Sequence, residues 1–210
     1  MKGALTRCLP LACAVLLAAC SKSEPAGLSN CPPSESGKPV DSTLLAFLSR
    51  ARAAHHLADD LEGKDDLTAS TVPLERLVAG PLPRVGGELG PEVREVLADT
   101  YARLADLHSR QGQFERALEE VEQGLGHVHE PNYFRGHLLE TQGLIEERHA
   151  KELEKKGDRA GAAAIRQRAI ELLEQAMAVQ SGVIERAPSS PTRPSTNASA
   201  APPTPAASAP

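Results

Sequence analysis

Two histidines and two aspartates form a dense group of side chains that could bind a metal ion. In the run HHLADD at residues 55–60, His55 precedes Asp59 by four residues and His56 precedes Asp60 by four. Residues four apart share a face of an α-helix, and imidazole and carboxylate are both ligands for divalent transition metals. Each pair supplies only two ligands, and a surface hydrogen bond is the alternative use of such a pair. We therefore keep metal binding as the alternative hypothesis.

A second spacing with known chemistry is Glu146-x-x-His149. Di-iron carboxylate bundles use this step twice and add a glutamate from each of two further helices. The sequence contains no second copy of the step, and it lacks the G-x-S-x-G, phosphate-loop, H-E-x-x-H and dinucleotide-binding motifs. We therefore predict a protein that is not an enzyme and needs no cofactor.

The four cysteines are concentrated at the start of the chain. Cys8, Cys13 and Cys20 lie within the first 20 residues, and Cys31 follows in a stretch rich in proline and serine. This distribution does not suit a disulfide framework or a zinc site. We expect Cys31 to be a free thiol, with an intermolecular disulfide as the alternative.

The first 19 residues have the layout of a secretory signal. Lys2 and Arg7 precede a mostly apolar, uncharged run over residues 8–19. That run is shorter than the roughly 20 residues needed to span a membrane as a helix. It ends in the sequence LAAC at residues 17–20. This ending resembles the bacterial lipobox, in which small residues precede the cysteine that receives lipid.

The lipobox resemblance implies cleavage before Cys20 and a diacylglyceryl thioether on its sulfur. Two or more acyl chains hold a protein stably on a membrane. Ser21 follows the cysteine where an aspartate would favour the inner membrane. The resemblance therefore implies the periplasmic face of the bacterial outer membrane, with the inner membrane left open. An ordinary signal peptide with an incidental Cys20 is the alternative.

Composition argues against a nucleic-acid partner. The chain has a formal net charge of −5 and an aromatic content of 2%. Loss of Lys2 and Arg7 with the leader would make the protein still more acidic. Acidic proteins with few aromatic side chains attract phosphates poorly and offer little surface for base stacking.

The rest of the chain divides into two polar segments and one folded region. Residues 20–40 and 188–210 are rich in proline, serine and other small residues, which predicts a flexible tether after the lipidated cysteine and a disordered tail. Residues 41–187 contain the remaining apolar residues, and we assign them to one helical domain.

Apolar residues in the folded region recur every three or four positions, which predicts amphipathic helices. No stretch alternates like a β-strand. We expect an all-α fold of about six helices, paired as three antiparallel hairpins. The expected helices run from Ser42 to Gly63, from Pro73 to Gly80, from Pro91 to Gly112, from Gln113 to Gly126, from Pro131 to Gly157 and from Arg159 to Arg186.

Residues 98–131 resemble a tetratricopeptide repeat. The resemblance implies two closely packed helices per repeat and a right-handed stack of hairpins. A weaker copy surrounds Gly157 and a degenerate one covers residues 42–80; a plain helical bundle is the alternative. The matching residues of the best copy are Tyr101, Leu104, Ala105, His108, Gly112, Phe114, Ala117, Val121, Gly124, Leu125 and Pro131.

Tetratricopeptide domains bind a peptide or a partner helix on the concave face formed by the first helices of successive hairpins. The resemblance places Arg103, His108, Gln142 and Arg148 on this face, and ordinary solvated surface is the alternative for each residue. We therefore predict a lipid-anchored scaffold with protein partners in the bacterial cell envelope. The alternative function is a periplasmic metal-binding or sensing protein that uses the four His and Asp residues of 55–60.

Overall fold

The computed structural model describes residues 41–186, which form six α-helices. The predicted leader at 1–19, the tether at 20–40 with Cys20, and the tail at 188–210 lie outside the described residues. Within 41–186 the only β-type pairing is an isolated bridge between Val85 and Glu88, so the predicted all-α fold is confirmed. The helices are α1 (Ser42–Glu62), α2 (Leu67–Val78), α3 (Pro91–Arg110), α4 (Phe114–Leu125), α5 (Tyr133–Lys155) and α6 (Arg159–Arg186).

Side-chain caps determine where several helices begin. Asp41 accepts a hydrogen bond from the backbone N–H of Thr43, and Asn132 accepts one from Arg135. Such caps satisfy N–H groups that have no partner within the helix. The fifth helix therefore begins just after Asn132 and not at Pro131.

The second helix begins earlier than the sequence prediction. Asp66 caps it by accepting from the N–H of Ala69 at 2.9 Å, so the helix starts at Leu67 and Pro73 lies inside it. The prediction that Pro73 starts this helix is wrong. A proline is favoured in a first turn, but here the aspartate cap determines the start and the helix accommodates the proline further along.

Two of the three hairpin turns depend on glycine. Gly112 has φ +77° and Gly157 has φ +88°, the left-handed conformation that is readily available only to glycine. At the first turn the prediction differs from the structure. Gly63 remains in a right-handed helical conformation, and Asp65 adopts the positive φ of 61° instead.

The helices pair in chain order and each hairpin contacts only its neighbours. α1 packs on α2, α3 on α4, and α5 on α6. Between hairpins, α3 contacts both α1 and α2, α5 contacts both α3 and α4, and α6 contacts only α5. The first and third hairpins have no direct helix contact. This one-dimensional packing is typical of helical repeat proteins.

Two hydrophobic clusters connect the hairpins. The first joins α1, α2 and α3, and the second joins α3, α4 and α5. Neither cluster contains a residue of α6, whose buried residues are Ala162, Ala169 and Ala176. Ala176 and Ala169 lie opposite the buried Gly136 and Gly143 of α5, respectively, and the last two helices therefore approach each other closely.

Candidate protein-binding surface

A chain of ion pairs links the first helices of the three hairpins. It begins at Arg103 on α3, which donates to Asp59 at 3.0 Å and also to Glu62, both on α1. Glu62 also accepts from Arg110 on α3. The hydrogen bond with Glu62 raises the pKa of Arg110 above its ordinary value, and the nearby Asp106 adds to the effect. The two arginines thus attach α3 to the last turn of α1.

Arg148 extends the chain of ion pairs to the third hairpin. From α5 it donates to Asp106 at 2.7 Å and to the hydroxyl of Ser109 at 2.6 Å, both on α3. Asp106 also lies 3.7 Å from Arg110. We call the surface formed by α1, α3 and α5 around these pairs the first-helix face. Its charges hold neighbouring hairpins together in addition to facing solvent.

The structure places the four predicted partner-binding residues in different environments. Arg103 and Arg148 are part of the ion-pair chain on the first-helix face, and Gln142 is half-buried on α5. His108 is only 2% exposed. Its Nδ1 lies 2.7 Å from a carboxylate oxygen of Glu120 on α4. His108 therefore connects the two helices of its own hairpin and is not accessible to a partner.

An open depression lies beside the ion-pair chain, where the turn between α3 and α4 meets α5. Its volume is about 390 Å³, and Leu67 and Phe114 contribute apolar surface to it. The ring of Phe114 is stacked on His149 with 4.6 Å between centroids. We call this feature the basic depression. Its charged lining consists of Arg110, Arg148, Lys151, Glu152 and Lys155.

The two lysines of the basic depression differ from its arginines. Lys151 pairs with Glu147 at 2.6 Å and Lys155 pairs with Glu152 at 2.6 Å, so both ion pairs lie within α5. Exposed pairs of this kind contribute little to stability. Lys151 and Lys155 can therefore exchange their partners for an incoming acidic group without loosening the hairpins. Sequence reasoning missed both lysines because nothing in their spacing distinguishes them from a solvated helix face.

The predicted metal-binding residues are engaged separately. His55 is turned towards α3, with its Nε2 3.0 Å from the Thr100 hydroxyl. Asp59 pairs with Arg103, Asp60 pairs with Lys64, and His56 is exposed. Among residues 41–186 there is no group of three His, Cys, Asp or Glu side chains arranged to hold a metal ion.

The Glu146-x-x-His149 step is also used for packing. Glu146 is 2% exposed and accepts from Arg168 on α6 at 2.9 Å, while His149 stacks on Phe114. Glu146 therefore contacts α6, and His149 contacts α4.

No protein-family model matches the chain, and the comparisons with curated proteins and with solved structures gave no match. None of the helices within residues 41–186 combines the length and the apolar character needed to cross a membrane.

Proposed function

We propose that this chain is a lipid-anchored, non-catalytic scaffold of the bacterial cell envelope whose tetratricopeptide-like domain binds another protein. The observation that carries the proposal is the packing of the helices. α3 lies against both helices of the first hairpin, and α5 lies against both helices of the second. The same packing step is therefore used twice, as expected of a repeat stack.

The best repeat copy supports this assignment in detail. Ala105 and Ala117 are fully buried between helices. A Cβ atom on Gly124 would lie 2.6 Å from the Cδ2 of Leu138 on α5, so a larger residue would force this buried side chain to shift. Small residues at these three positions allow the close helix contacts that the family resemblance implies, and a right-handed stack remains the expected arrangement.

The anchor follows from the lipobox resemblance at Cys20. Lipid on this cysteine would hold the protein at the periplasmic face of the outer membrane. Twenty residues, 21–40, separate Cys20 from the first described residue of the helical domain. The helical domain could then meet partners within a small radius of the membrane surface.

The basic depression is the surface that we assign to the partner. Its two lysines and two arginines outnumber the single carboxylate of Glu152, and apolar surface from Leu67 and Phe114 lies next to them. This combination suits a protein segment that carries acidic side chains beside an apolar one. Complementary charges of this kind mainly increase the association rate and the specificity.

Photo-crosslinking in intact bacteria tests this surface. A photoreactive residue at position 151 should capture one defined partner, and the same residue at position 84 should not, because Arg84 is exposed and lies between α2 and α3, outside the lining of the depression. The double variant Lys151→Glu/Lys155→Glu should reduce recovery of that partner at least tenfold and leave the helical content unchanged. Arg84→Glu is the matched control and should have no effect.

Two results would contradict the proposal. If recovery of the partner is indifferent to charge reversal at Lys151 and Lys155, the basic depression is not the docking surface. If a Cys20→Ser protein fractionates with membranes as the unaltered protein does, the lipid anchor is wrong, and the envelope assignment goes with it.

A further inference from the structure

The third hairpin has an unoccupied groove at the end of the stack. In the first two hairpins, the groove between the paired helices receives the next helix: α3 contacts α1 and α2, and α5 contacts α3 and α4. The corresponding groove between α5 and α6 receives no helix from residues 41–186. We call this surface the terminal groove.

The terminal groove is unusually apolar for an exposed surface. Within residues 41–186, eight large apolar side chains are exposed, and five of them belong to the third hairpin. Their exposed fractions range from 37% to 73%. Exposed apolar side chains that are concentrated in one region of the surface mark interaction sites. The five residues are Tyr133, Leu144, Ile170, Met177 and Ile184.

The five apolar side chains lie on the same side of the hairpin. Successive residues of a helix are rotated by about 100°, so Ile170, Met177 and Ile184, spaced by seven, form one stripe on α6. The stripe borders Gln180, whose amide donates to Glu140 on α5 at 3.3 Å. The same rotation of about 100° per residue places Glu140 on the face of α5 that carries Tyr133 and Leu144.

The contacts of two glycines give the relative heights of α5 and α6. Gly136 lies against Val179 and Gln180, whereas Gly143 lies against Ala169 and Leu173. Seven residues forward on α5 thus correspond to about seven residues backward on α6. Met177 is therefore level with the α5 positions 137 and 138.

We propose that the terminal groove binds a second copy of this chain in an antiparallel arrangement, with the two-fold axis next to Met177. The α6 stripe reads the same in both directions, because isoleucine lies seven residues before and seven residues after Met177. The two-fold axis brings Ile170 of each copy against Ile184 of the other and the two Met177 side chains together. A two-fold interface requires this self-complementarity.

The α5 side of the groove is self-complementary about the same axis. Tyr133 lies about as far before the axis as Leu144 lies after it, so these two apolar residues meet across the interface. His137 lies level with the axis and is paired with Glu140 of its own helix at 3.9 Å. Glu140 lies less than one turn beyond the axis, so the two Glu140 carboxylates lie on opposite sides of it and are not forced together. The axis chosen from the α6 stripe alone thus also brings the apolar residues of α5 together.

Disulfide trapping with the full chain in intact cells tests the position of the axis. A cysteine that replaces Met177 should form a disulfide-linked dimer on mild oxidation, because the two positions meet at the axis. Ala178→Cys is the matched control: Ala178 is the next residue and is exposed, but it is rotated by about 100° away from the stripe. The Met177→Cys dimer should form at least tenfold faster than the control dimer, and the native cysteines are common to both proteins.

Co-purification of two differently tagged full-length copies tests the apolar contact. Met177→Glu in both copies would place two carboxylates at the axis and should reduce recovery of the second copy at least tenfold, whereas Ala178→Glu should not. Both residues are exposed, and circular dichroism should show unchanged helical content for both variants.

Equal disulfide rates for the two cysteine variants would overturn the proposal. The proposal would also be overturned if Met177→Glu does not change the recovery of the second copy, or if a photoreactive residue at position 177 crosslinks only to a different protein. A failed result here leaves the basic depression untouched, because that surface is tested by the capture of a different protein through Lys151 and Lys155.

Discussion

Replacement of Gly143 by alanine should destabilise the protein, although alanine is the better helix former. A Cβ atom at this position would lie 2.8 Å from the Cγ of Leu173 and 3.2 Å from the carbonyl oxygen of Ala169. The first distance is shorter than real Cβ contacts, and the second involves backbone that cannot rotate away. α5 and α6 would have to separate.

The magnitude follows from two opposing effects. Alanine in place of glycine inside a helix stabilises by about 1 kcal/mol, and forcing a methyl group into a packed contact costs about 1–3 kcal/mol. We expect Gly143→Ala to lower the free energy of unfolding by about 1 kcal/mol. Gly182→Ala on α6 is the matched control because no atom lies within 4 Å of its added Cβ. It should raise the free energy of unfolding by about 0.5–1 kcal/mol.

Urea denaturation and calorimetry measure both variants. The difference between them should correspond to about 3–8 °C in Tm for a folded region of this size. If both alanines stabilise the protein to the same extent, α5 and α6 do not approach as closely at Gly143 as described, and the close-packed alanine and glycine contact is wrong.

Two further predictions concern buried polar groups. Arg168→Ala should lower the free energy of unfolding by about 2 kcal/mol in urea titrations, because the buried carboxylate of Glu146 loses its partner; Glu146→Leu should cost less, since it removes the charge as well. Burial, with repulsion from Arg94 and His129, lowers the pKa of His127 below its ordinary 6.5. The folded state thus favours the neutral imidazole, and the free energy of unfolding should fall as the pH drops below about 6.5 towards the lowered pKa of the folded protein. His127→Gln should flatten this pH dependence, and an unchanged slope would contradict the assignment.

Local chemistry made most of the fold predictable. Gly112 and Gly157 could be identified as turns because an apolar helical pattern stops at each and only glycine readily takes the left-handed conformation. Pro91 marked a helix start for a similarly local reason. The error at Pro73 arose where two local signals compete, because Asp66, seven residues earlier in the sequence, supplies a helix cap.

The contacts of the candidate surface could not be predicted in the same way. The partners Arg103 and Glu62 are 41 residues apart and Arg110 and Glu62 are 48 apart, so no helical spacing links them. The burial of His108 depends on how closely α3 packs on α4, which periodicity does not determine. The family resemblance predicts that the first helices form the face, but it cannot tell which of their polar side chains are engaged within the protein.

The alanine contact between the last two helices has a consequence for local unfolding. Each buried alanine removes little apolar surface from water, and a buried methyl group contributes only about 0.8 kcal/mol. α6 is therefore held less strongly by side-chain burial than the helices of the two hydrophobic clusters. Its backbone amides should exchange with deuterated solvent before those of α3. They should become protected as the protein concentration rises, because a second copy would cover the side of α6 that the stack leaves open.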